Sequence, residues 1–182
     1  MAFPNLTPAY VAWLAGQTQA YIAAQRAVYH AGAVQLTPAQ TTTMSPFFAP
    51  NILGSTRLNV LHETHVPNPP FYPQLVNDGF PQAELPDFSA MDAITFIDTV
   101  VFQVPITDRT LFHELVHVVQ YVKLGSPMFA AKYVTGFLTG GTYPNIPLEV
   151  NAYQLDAIFA AATTVGFSVE DAVQAWIDAG QF

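Results

Sequence analysis

The chain has 182 residues, 51% of them hydrophobic, which suffices for a single domain over residues 1–182 with a substantial core. Lys and Arg total 5 against 13 Asp and Glu, and the resulting net charge of -8 argues against nucleic acid or an anionic membrane as partner. The absence of cysteine excludes disulfides and thiolate metal sites, and with only 10% of residues charged some apolar surface is left for an apolar substrate or for a partner subunit in a homo-oligomer.

The first residues, Met1 to Pro8, lack a positive n-region, so no secretory signal is expected; a cytoplasmic chain and the mature form of an exported one both fit. No stretch has the continuous apolarity of a transmembrane segment. Thr7-Pro8 opens a packing helix to about Tyr29, with Tyr10, Trp13, Leu14, Ile22 and Val28 among its apolar positions and His30 at its end to complement the helix dipole. A short helix from Thr37-Pro38 to near Thr43 follows, and Pro46 and Pro50 break the chain.

Arg57 to Val66 alternates as a strand, which points His62 and His65 to opposite faces and argues against their sharing one ion. Pro67 to Asp87 holds Pro67, Pro69, Pro70, Pro73, Pro81 and Pro86 with Phe71, Tyr72 and Phe80 between them. That density of proline predicts a long loop rather than a regular helix, pinned by its aromatics and able to shape a binding cleft. Ala93 to Val104 is the strongest strand signal, read as a hairpin turning near Asp98.

Thr107 to Gly125 reads as one buried helix, with Thr107 or Asp108 to cap its start and Gly125 for the left-handed residue after its last turn. Among its apolar side chains stand His113, Glu114 and His117, polar groups whose burial requires partners. Residues at i and i+4 share a face, so His113 and His117 can aim imidazole nitrogens at one ion. Glu114 lies about 100° round the helix, placed to reach a water on that ion and to act as its general base.

A catalytic zinc ion usually takes three protein ligands and keeps one open position, so a further ligand is needed. No histidine lies six residues beyond His117, where one version of the motif has it. Glu149 is the only acidic residue between Glu114 and Asp156, and Pro147 places it in the first turn of a helix running to about Thr164; it is the candidate third ligand. Between these helices, Ser126-Pro127 starts a helix to about Leu138 and Thr139 to Pro144 forms a flexible turn, from which Tyr143 could donate to an oxyanion. Ser168 caps a last helix carrying Trp176.

The run His113-Glu114-Leu115-Val116-His117-Val118-Val119-Gln120 with Pro147-Leu148-Glu149-Val150-Asn151-Ala152-Tyr153 resembles the gluzincin-type zinc metallopeptidases, in particular small bacterial peptidase domains with H-E-L-x-H-V-x-Q followed by P-x-E-x-x-A-Y. The resemblance covers about Ala93 to Ile158. It implies a zinc ion held by His113, His117 and Glu149 with Glu114 as base, and a strand before the zinc helix whose edge can hold an extended substrate. Larger gluzincins often carry an Asp four residues after the ligand Glu, to orient a ligand histidine; here Tyr153 stands there, and Asp156, two turns from Glu149 on the same face, can take that task.

The expectation is therefore an α+β, zincin-like domain, mainly helical with a small β-sheet bordering the active-site helix. It would act as a zinc-dependent hydrolase, a metallopeptidase on peptide or hydrophobic small substrates. The alternatives are a metal-dependent hydrolase of a non-peptide ester or amide, and a non-catalytic metal-binding interaction module. Imidazole and carboxylate ligands also accept cobalt, nickel or iron.

Overall fold

The computed structural model describes residues 6–161 and 166–182. Residues 1–5, where a secretory n-region would begin, and Thr164, the expected end of the third-ligand helix, lie outside them. Within the described residues the chain is mainly helical with one small sheet, an α+β arrangement.

Proline at the first turn starts most of the helices, because a first-turn residue needs no amide donor and proline's fixed φ already suits the helix. This holds for α1 (Pro8–His30), α2 (Pro38–Met44), α3 (Pro50–Ser55), α4 (Tyr72–Asn77) and α6 (Pro147–Ala160). The exceptions are α5 (Asp108–Gly140) and α7 (Val169–Asp178), which are capped by the side chains of Thr107 and Ser168. The helix α4 corrects the expectation for Pro67 to Asp87: Pro73 falls in its first turn, where proline is compatible with a helix, and Leu75 is buried beneath it.

Three strands, β1 (Arg57–Val60), β2 (Ala93–Phe96) and β3 (Thr99–Phe102), form a sheet in the order β1-β3-β2. The hairpin expected near Asp98 is present: β2 pairs antiparallel with β3, Phe96 facing Thr99. The expected strand from Arg57 to Val66 is shorter. It runs parallel to β3 and stops at Val60, opposite Phe102, because its partner strand ends there. His62 and His65 therefore lie in the following loop rather than on two faces of a strand; His65 Nδ1 approaches Gln103 Oε1 at 3.3 Å.

The first half of α5 runs through the middle of the molecule and is buried at every position from Leu111 to Tyr121. One face packs with Phe48, Leu58, Val100 and Val173, and the other end joins a second cluster containing Leu14, Ile22, Phe96, Phe129 and Leu148. Helix α1 is tied to the β2–β3 turn by Arg26, whose Nε and Nη2 donate to Asp98 at 2.7 and 2.6 Å, and by His30 Nδ1, 2.8 Å from Thr99 Oγ1. His30 is thus part of the α1–sheet contact, more than a partner for the helix dipole. Val28, counted among the packing positions of α1, is exposed.

Candidate metal centre

The helix carrying the two histidines is set by local chemistry at both ends. Thr107 Oγ1 accepts from Thr110 N at 3.1 Å, satisfying an amide of the first turn. At the far end Gly125 has φ 74 and ψ 153, a conformation open in practice only to glycine, and there the helix breaks. The chain resumes at Ser126-Pro127 and runs on to Gly140, two residues past the expected end at Leu138. This second segment meets the start of α6 closely: a Cβ on Gly136 would lie 2.6 Å from Pro147 Cδ, and one on Gly140 2.9 Å from Asn145 O. The missing side chains let the start of α6, and with it Glu149, settle against α5.

His113, His117 and Glu149 converge in this arrangement, all three buried. Their facing atoms are His113 Nε2 and His117 Nε2 at 3.2 Å, with Glu149 Oε2 at 3.5 Å from the first and 3.4 Å from the second. A tetrahedral ion with ligand bonds of about 2.0–2.1 Å would space its ligands by about 3.3–3.4 Å. The triangle therefore has the size of one face of such a coordination sphere. Glu149 Oε2 is also buried without a hydrogen-bond partner, an arrangement that a cation at the centre of the three atoms would explain. On both counts the residues fit a zinc-like divalent ion, and the fourth position of the tetrahedron is not filled by any of them.

Both histidines are oriented from behind. His113 Nδ1 lies 3.0 Å from Asp156 Oδ2, and Arg109 Nη2 donates to Asp156 Oδ1 at 2.7 Å. His117 Nδ1 lies 2.9 Å from Gln120 Oε1, whose Nε2 donates to Leu148 O and Asn151 Oδ1, both at 2.9 Å. With an oxygen acceptor behind each ring, Nδ1 keeps a proton, and a ring that gives up its other proton turns an Nε2 lone pair to the common centre. Tyr153, in the place where larger gluzincins carry an Asp, lays its ring against His113 at 4.6 Å between centroids.

The electrostatics of the three groups are strongly coupled. Burial would lower His113, but the Asp156 hydrogen bond and the Glu149 carboxylate outweigh it and raise it to about 10. His117 is raised too, against burial, chiefly by the Glu149 charge. Burial would raise Glu149, yet the two histidines hold it down at about 2.

Glu114 is buried beside β2, where Thr95 Oγ1 lies 2.7 Å from its Oε2 and 3.1 Å from its own backbone oxygen. It lines, with His117, Glu149 and Tyr143, one cavity whose unfilled space amounts to about 850 Å³, part of it open to solvent. Tyr143 sits in a 3-10 turn, Tyr143–Asn145, overlapping the expected turn from Thr139 to Pro144. Burial first, then the Glu149 charge, keeps its hydroxyl protonated far above the ordinary range, so it remains a donor.

Sequence reasoning gave no role to Gln120, Asn151, Thr95 and Arg109. Gln120 carried a usable signal, a polar amide one turn after His117 within an apolar helix. Thr95 and Arg109 reach the site through tertiary contacts that no spacing announces. Searches against protein-family models, curated proteins and solved structures found no match.

Proposed function

We propose that this chain is a zinc-dependent peptidase with a zincin-like fold, its ion held by His113, His117 and Glu149. The observation that carries the reading is the coordination-sized triangle of two imidazole nitrogens and one unpartnered carboxylate oxygen, with a further buried carboxylate, Glu114, in the adjoining cavity. A structural ion would gain nothing from that extra glutamate, whereas hydrolysis requires a base. A zinc ion there would acidify a bound water and polarise the substrate carbonyl.

The protein's own groups supply the rest of the chemistry. Glu114 takes a proton from the attacking water and passes it to the leaving amine; the Thr95 hydroxyl donates to its Oε2, which leaves Oε1 available to act as the base. Tyr143, held protonated, donates to the oxygen of the carbonyl as it becomes anionic. Asp156 and Gln120 keep the two imidazoles in the tautomer that binds. The apolar walls of the cavity exclude water and favour a hydrophobic substrate group.

Metal content by elemental mass spectrometry, read beside peptide hydrolysis, tests this assignment. The parent should carry about one zinc per chain. His117→Ala should lose metal and activity together. Glu114→Gln should keep the metal and lose activity by several orders of magnitude. Hydrolysis at the parent rate by Glu114→Gln would refute the mechanism; no zinc uptake by the parent would refute the site.

A further inference from the structure

The cavity beside the metal group is walled mostly by parts of the chain that carry none of its ligands. Helix α1 contributes Leu14 and Tyr21, the segment around α4 contributes Phe71 and Phe88, and the second half of α5 contributes Phe129 and Tyr133. Among these apolar walls one polar atom stands out, since Tyr133 Oη is buried with no hydrogen-bond partner. A buried, unpaired hydroxyl destabilises a fold, and such a group calls for a reason. A phenylalanine there would pack the same ring without that cost. The hydroxyl has a use if something entering the cavity pairs with it.

We propose that this cavity recognises a substrate side chain with an aromatic ring and a polar oxygen at its tip, in peptide form tyrosine, with Tyr133 as the residue that distinguishes it from phenylalanine. Aromatic walls suit a flat ring in edge-to-face contact. The unpaired Tyr133 hydroxyl can meet one oxygen at its end. Sites that hydrogen-bond a substrate hydroxyl reject the analogue lacking it, because the protein's own polar group is then left unpaired. The proposal rests on the hydrolase reading only in calling this group part of a substrate; the occupancy of the cavity can be measured without metal or turnover.

The test uses p-cresol and toluene, which differ by one hydroxyl, titrated by nuclear magnetic resonance into the full chain treated with chelator. The parent should bind p-cresol about tenfold more tightly than toluene, the value of one hydrogen bond. In Tyr133→Phe toluene binding should persist and the p-cresol preference should vanish, with the melting temperature unchanged or raised because an unpaired hydroxyl has gone. Thr18→Trp, which fills the cavity from α1, should abolish binding of both. Failure of the parent to bind either compound, equal affinity for the two, an unchanged ratio in Tyr133→Phe, or full binding by Thr18→Trp would each overturn the proposal. A positive result with an inactive parent would leave the cavity's specificity standing and remove the peptidase reading instead.

Discussion

His113 is pulled in opposite directions by its surroundings: burial disfavours the imidazolium, while Asp156 and Glu149 favour it strongly enough to raise its pKa to about 10. That balance has two consequences for the metal-free protein. The folded pKa lies above the ordinary value of 6.5, so the stabilisation from protonating His113 is fully present below pH 6.5 and is lost as pH rises through about 10. Calorimetry in chelator should therefore show the melting temperature falling between pH 7 and 10; a flat profile would contradict the coupling. Metal must also displace this proton, so affinity should climb with pH over the same interval, by up to tenfold per unit for one proton released. Titration calorimetry at pH 7 in buffers of different ionisation heat should record about one proton released per ion. Zero release would mean that the histidines are already neutral. The sequence made the convergence of His113, His117 and Glu149 legible because their chemistry is tied to spacing and to a scarcity of acids. It left Gln120 without a role, although the same helical spacing places it one turn from His117.

Among the elements, the junction of α5 and α6 decides where Glu149 stands. Gly136 is helical, and by propensity alone Gly136→Ala should stabilise the protein by about 1 kcal/mol. The structure reverses that sign, because the added Cβ would meet Pro147 Cδ at 2.6 Å and a proline ring in the first turn of α6 has little freedom to yield. Displacing α6 costs about 1–3 kcal/mol by the usual scale of overpacking and moves Glu149 off the two histidines. Urea unfolding and zinc titration should both show weakening; a variant more stable than the parent with unchanged zinc affinity would remove the junction as the determinant. Element boundaries were legible where a local cap or turn sets them, as at Thr107, Gly125 and the hairpin before Thr99. They were missed where a partner sets them: β1 ends at Val60 because β3 ends at Phe102. In the Pro67 to Asp87 segment the density of proline obscured the one position, Pro73, at which proline starts a helix.

Across the whole molecule, α5 links both hydrophobic clusters and brings His113 and His117 to Glu149 of α6. Part of the cavity wall comes from α1 and the segment around α4, in the half of the chain outside the resemblance, so the cavity was only partly legible even where the candidate ligands were. Among the described residues no helix is long and apolar enough to cross a membrane. Because His113, His117 and Glu149 are held together only in the folded chain, an ion held by them would bind the native state in preference to the unfolded one and stabilise the whole domain. Free zinc at a thousandfold excess over its dissociation constant adds about 4 kcal/mol. For a chain of 182 residues that corresponds to a rise of roughly 8–16 °C in melting temperature. His117→Ala should show no such rise, since two remaining ligands cannot close the site, while Glu114→Gln should show nearly all of it. Equal zinc-induced shifts in the parent and His117→Ala would mean that the ion binds elsewhere on this acidic surface. A shift in Glu114→Gln as small as that in His117→Ala would make Glu114 a ligand rather than the base beside one.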